Sequence, residues 1–235
     1  MVYSFNDSKS RGHWGGFTLK WYAELLENRD IRTALYYTLM IAFLAAVIST
    51  IAGTLTAIGI YNMRFLSRKI VLNINYLPVL NPDIVTGVSL MTLFLSLKMQ
   101  LGFVTLLIAH IVFDIPYVVL CILPKLRQMN KHVPEAAMDL GAKPSYAIRK
   151  VIIPEILPGI ITGFLMAFTL SVDDFVISFF TTGSGVTNLS IVIYSMARKG
   201  IKPSINALST IMFLIVVVML LLINRSTTKG DELIP

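Results

Sequence analysis

Apolar residues in this chain do not recur at the spacing of one buried helix face. They run on in long stretches, interrupted mainly by proline. Thr33–Tyr61 carries no charged residue, Ile70–Leu97 only Asp83, Leu101–Leu123 only Asp114, Val151–Val172 only Glu155, and Ser204–Ile223 none. A helix needs about 20 residues at ~1.5 Å rise to cross the hydrocarbon core. The pattern therefore predicts five membrane spans and an all-α polytopic transmembrane helical bundle. Pro78, Pro82, Pro116, Pro154 and Pro158 fall inside these spans. Each removes a backbone donor that lipid cannot replace, so these spans are expected to pack against protein or a wet cavity.

The connections set the organisation. Residues 1–32 read as an extracytoplasmic N-terminal segment with Phe5, Trp14, Phe17, Trp21 and Tyr22 as interfacial aromatics. Residues 33–224 form the membrane domain, including a cytoplasmic loop at 124–150, and 225–235 a cytoplasmic tail. The loop assignment rests on Lys125, Arg127, Lys131, Lys143, Arg149 and Lys150, because basic residues concentrate on the cytoplasmic side. A chain that starts outside with no preceding hydrophobic segment is awkward to export, so a missing first span is expected.

Composition narrows the class. Of 235 residues, 55% are hydrophobic and 14% charged, with a mean hydropathy of +0.74. Soluble domains carry about 25% charge, so these values call for lipid as solvent. The net charge of +7 then reflects topology and gives no reason to expect a nucleic-acid partner. Cys121, the only cysteine, lies in an apolar run and reads as a small hydrophobe. There is no Gly-x4-Gly-Lys-Ser/Thr loop for ATP, and His13, His110 and His132 stand singly, without metal-ligand spacing. No nucleophile–base arrangement can be argued either. The expectation is a non-enzyme that holds no metal or cofactor of its own.

The 124–158 region is the most specific part. Pro134 suits a first helical turn, and Glu135 beside it complements the helix dipole. Gly141 suits a helix end that needs positive φ, and Pro144 can open a second short helix ending near Lys150. Two short helices bent at Gly141 are predicted on the membrane surface. Local physics leaves two readings open: an ordinary interfacial helix, or a face on which small Ala136 and Ala137 admit a partner.

The run Glu135-Ala136-Ala137, three residues, Gly141, and then Val151-Ile152-Ile153-Pro154 resembles the EAA loop of ABC-importer permeases. The family pattern has Ile and Leu where Val151 and Ile153 stand. Phe17 to Tyr22, Asn81 to Val85, Phe168 to Asp174 and Ile193 to Met196 are similar to the spermidine/putrescine permeases within that family. The resemblance covers nearly the whole chain. It implies a type I ABC-importer permease of the bacterial inner membrane, preceded by one further helix. Glu135, Ala136, Ala137, Asp139 and Gly141 would dock on ATPase subunits that use the ATP, and Pro154 would turn the chain back into the membrane. A second permease subunit and a soluble substrate-binding protein would complete the assembly.

Intramembrane carboxylates are costly and mark candidate pathways. Asp83, Asp114, Asp173 and Asp174, with the aromatic faces of Tyr117, Phe168, Phe175 and Tyr194, could carry a polycation in transit. Structural roles compete with that reading. Asp83 could cap the helix after Pro82, Asp114 could bond backbone near Pro116, and one of Asp173 and Asp174 could simply be solvated. Glu155 is expected to pair with Arg149 or Lys150. Two further functions stay open: a permease for another small solute, and a secondary transporter using Asp114 or Asp173 as an ion relay.

Overall fold

The structure, a computed structural model, describes residues 2–8, 13–130, 132–199 and 203–231. Lys131 and the last four residues of the expected tail lie outside the described residues. The helices are α1 (Lys20–Glu27), α2 (Arg29–Asn62), α3 (Phe65–Leu80), α4 (Asp83–Ser96), α5 (Phe103–Gln128) and α6 (His132–Asp139). They continue as α7 (Pro144–Glu155), α8 (Leu157–Asp173), α9 (Val176–Thr181), α10 (Leu189–Lys199) and α11 (Pro203–Asp231).

Among the described residues, α2 and α5 are each long and apolar enough to cross a membrane alone. The pairs α3–α4 and α7–α8 would bring the number to four if each bent pair crosses once. The expected span Ser204–Ile223 lies within α11, whose described apolar stretch, Ser204–Val218, is shorter.

Ile70–Leu97 is interrupted, as its two prolines lead one to expect, and the break falls at Asn81–Pro82. Asn81 is extended (φ −75°, ψ 143°), as a residue before proline prefers, whereas Pro78 sits inside α3 without ending it. One expectation needs correction: the second short helix does not end near Lys150. It continues to Glu155 through a wide π turn at Ile148–Ile152, where the N–H of Ile153 reaches Ile148 O. The bend, 71°, falls at Ile156 (φ −90°, ψ 4°). Pro158 then lies in the first turn of α8, where a missing N–H costs nothing.

The chain divides into two compact units. One comprises Ala45–Pro82, Ile111–Phe168 and Leu221–Pro235. Its core gathers Ala57 and Ile60 of α2, Val118, Ile122 and Leu126 of α5, Ile156, and Ala167 of α8. Glycine makes this packing possible. A Cβ at Gly53 would lie 2.6 Å from Val118 Cγ1, and one at Gly159 would lie 3.2 Å from the Cys121 carbonyl oxygen. Small residues let helix backbones approach where lipid supplies no hydrophobic drive between them.

The other unit comprises Met1–Leu44, Asp83–His110 and Thr169–Leu220. Here the N-terminal segment is built differently from the interfacial reading. Trp21 is only 4% exposed, and its indole N–H donates to the Asn6 carbonyl at 2.7 Å. The Tyr22 hydroxyl meets Ser4 Oγ at 2.8 Å. Trp14 and Phe17 remain exposed. A buried indole needs an acceptor, and the Asn6–Phe17 bridge presents one.

Candidate functional site

The hairpin of α6 and α7 is defined at both ends by local chemistry. Asn130 Oδ1 accepts the N–H of His132 at 3.0 Å and starts α6. At its other end, Gly141 takes φ +87°. The Gly141 N–H bonds Met138 O at 2.9 Å, and the Ala142 N–H bonds Ala137 O at 3.1 Å. These are the paired bonds of a Schellman termination, which a residue with a Cβ supports poorly. Lys143 is then extended, and Pro144 opens α7.

The hairpin is largely unsheltered in this chain. Glu135, Ala136, Asp139 and Gly141 are exposed, and Ala137 is half-buried. Glu135 reaches back to His132 Nδ1 at 3.1 Å. Leu140 is 90% exposed, and Val133, Met138 and Tyr146 are also exposed. A groove of about 770 Å³ runs along it, lined by Ala137, Leu140, Gly141, Tyr146, Arg149 and Lys150. Pro154 is exposed within α7, two residues before the bend, so it does not itself make the turn. Among the described residues no ion pair joins Glu155 to Arg149 or Lys150.

The acidic residues separate into different roles. Asp174 is spent on structure: its Oδ1 accepts the N–H of Ile177 at 3.2 Å, and its Oδ2 that of Ser178 at 2.7 Å, capping α9. His110 Nε2 stands 3.8 Å from the same Oδ2 and 3.0 Å from Ser178 Oγ, while Nδ1 meets Ser171 Oγ at 3.1 Å. Asn188 Nδ2 donates to the Asp174 carbonyl at 3.2 Å. Asp173, one residue earlier, is exposed. It lines a cavity of about 560 Å³ with Phe175, Ser190, Tyr194 and Met212. The rings of Phe175 and Tyr194 lie 4.8 Å apart by centroid, and the Arg198 guanidinium lies 6.0 Å from the Tyr194 ring.

The structure thus brings together Asp173, Phe175 and Tyr194. Asp83 is exposed as the first residue of α4 and does not line that cavity. Asp114, fully buried in α5, and Tyr117, whose ring lies 5.3 Å from Phe113, belong to the other unit. Residue-level reading missed His110, Asn188 and Arg198. His110 finds its partners 61 and 68 positions away, and no local pattern announces that. Asp174 did carry a signal: an Asp just ahead of a short apolar helix is a capping position.

Long apolar helices, proline-broken apolar pairs and an exposed helical hairpin define an integral-membrane protein. Residues 49–228 match the family described as binding-protein-dependent transport system inner membrane component, and the chain belongs to that family. It is a multi-pass inner-membrane transport subunit and not an enzyme. It is 40% identical over 234 residues to the spermidine/putrescine transport system permease protein PotC of Escherichia coli (strain K12), covering 98% of this chain and 89% of that protein. It is 38% identical over 218 residues to the putrescine transport system permease protein PotI of the same organism, covering 90% and 78%. Its fold is similar to a bacterial ABC transporter involved in import of the acidic polysaccharide alginate (TM-score 0.69, 17% identity, 96% of this chain and 86% of that one). It is also similar to the MetNI methionine ABC transporter in inward-facing conformations (TM-score 0.62, 19% identity, 87% and 96%).

Proposed function

We propose that this chain is the permease of an ATP-driven ABC importer for spermidine or putrescine. ATP is used by separate ATPase subunits that dock on the α6–α7 hairpin from the cytoplasm. A second permease subunit shares the pathway, and a soluble binding protein delivers the cargo. Transport is alternating access, with ATP-driven closure of the ATPases moving the hairpin and, through α7 and α8, the spans.

The observation that carries the cargo assignment is Asp173 in one cavity with the rings of Phe175 and Tyr194. An extended polycation loses hydration inside a protein. A carboxylate and aromatic faces replace it, the latter at about 0.5–2 kcal/mol per ring. The volume, about 560 Å³, falls within the ~300–1,000 Å³ typical of small-molecule sites. A single carboxylate holds a polycation briefly, as a pathway requires. The names of the 40% and 38% identical relatives support this cargo; the fold alone does not, since similar folds serve alginate and methionine transporters.

The test is uptake of radiolabelled spermidine by cells carrying the complete transporter. Asp173→Asn should lower uptake while leaving the amount of inserted chain unchanged. Wild-type uptake by that variant would remove the cavity from the pathway. Uptake that persists after loss of the ATPase and follows an ion gradient would replace the importer reading with a secondary transporter.

A further inference from the structure

We infer that Arg198, which lines the neighbouring cavity, is a resident cation on Tyr194, the ring the two cavities share, and that in the empty permease it competes with the cargo for that ring. The inference rests on the cation-cargo reading of that cavity and adds a residue no part of it requires.

Tyr194 is a wall shared by two cavities. One, of about 560 Å³, holds Asp173 and Phe175; the other, of about 440 Å³, is lined by Phe179, Ile191, Ser195 and Arg198. Its ring meets Phe175 at 4.8 Å and Phe179 at 6.1 Å. The Arg198 guanidinium lies 6.0 Å from the Tyr194 centroid, within cation–π range. Among the described residues Arg198 has no carboxylate in ion-pair contact. Its position in the last turn of α10 complements the helix dipole, which accounts for a basic residue there. The dipole does not account for its placement on this ring, since an exposed arginine could equally extend into water.

A cargo ammonium that engages Tyr194 meets a ring already polarised by a guanidinium, and two like charges on one aromatic cluster repel. Binding therefore works against the guanidinium held at that ring and is eased when Arg198 swings away from it. Its return helps expel the cargo. In this way a cavity with one carboxylate gains a built-in release element, and its affinity is set below what the acid and the rings alone would give. Cargo with separated positive charges fits best, because one ammonium can rest on Asp173 while another displaces Arg198.

The experiment measures binding of radiolabelled spermidine to the complete permease–ATPase complex in nanodiscs, without binding protein, by scintillation proximity. Arg198→Gln should tighten binding roughly two- to fivefold, the range of one exposed cation–π contact. Arg198→Met, which keeps the aliphatic stem, should do the same, while Arg198→Lys, which keeps the charge, should stay near wild type. Asp173→Asn is measured alongside. If it weakens binding while Arg198→Gln leaves affinity unchanged or lower, the resident-cation inference is overturned and the cavity assignment stands. If neither substitution changes affinity, the cavity assignment falls and the inference with it.

Discussion

Asp174 Oδ2 accepts the backbone N–H of Ser178 at 2.7 Å, which ties the end of α8 to the first turn of α9. Its neighbour Asp173 points into the cavity instead. The two acids should therefore fail differently. Asp174→Ala removes a helix cap and should lower stability by about 0.5–2 kcal/mol, whereas Asp174→Asn retains capping capacity and should lose less. Asp173→Asn should leave stability near wild type and reduce polyamine uptake. Thermal inactivation of the purified complex, set beside uptake, separates the two; equal destabilisation by Asp173→Asn and Asp174→Ala would contradict the assignment.

Gly141 holds φ +87°, and nothing stands within 4 Å of where its Cβ would be. Any effect of substitution there is conformational rather than steric. A left-handed residue other than glycine costs about 1–2 kcal/mol, less for Asn. Gly141→Ala should loosen the α6 termination and re-aim α7, cutting uptake several-fold, with Gly141→Asn intermediate. Circular dichroism should show little change in total helix. Full activity of Gly141→Ala would show that the bend is not needed for coupling.

Gly53 presents the opposite case, a steric one. Its Cβ would meet Val118 Cγ1 at 2.6 Å. Gly53→Ala should destabilise the complex by about 1–3 kcal/mol through overpacking. Adding Val118→Ala should restore part of that loss, because the clash is with that side chain. Thermal shift of the single and double variants reads the coupling directly, and additive losses would contradict the predicted contact.

The parts of this fold that were legible in sequence are those set by short-range chemistry. Long apolar runs, uncharged for α2 and carrying only Asp114 for α5, marked these two helices, and the Pro134, Gly141 and Pro144 spacing marked the hairpin with its bend. Breaks were harder to place. Pro78 and Pro82 look alike in sequence, yet only the extended Asn81 before Pro82 ends a helix. Pro154 was expected to turn the chain, but it lies in the helical turn after the π turn at Ile148–Ile152, and the bend falls at Ile156. Of the eight candidate pathway residues, the aromatic members Phe175 and Tyr194 converge on Asp173, a meeting that depends on α10 returning beside the end of α8. Asp173 and Asp174 are adjacent acids that composition cannot tell apart; the backbone N–H groups of Ile177 and Ser178, both bonded to Asp174, separate them. Trp21 looked interfacial because its polar neighbours hid the Asn6 carbonyl that lets it be buried.

Leu140 supplies the sharpest test of the docking reading. It is 90% exposed at the tip of α6, beside the groove formed with Arg149 and Lys150, so it contributes almost no burial energy to this chain alone. Leu140→Ser should leave the permease as stable as wild type. If the ATPase covers this tip, burying the leucine contributes about 1.5–3 kcal/mol to association, and its loss should weaken ATPase binding roughly ten- to hundredfold. Co-purification of the ATPase with the inserted permease measures this, with Trp14→Ser, another exposed apolar site, as the control. Undiminished ATPase recovery with Leu140→Ser, at subunit concentrations near the dissociation constant, would place the contact elsewhere on the hairpin.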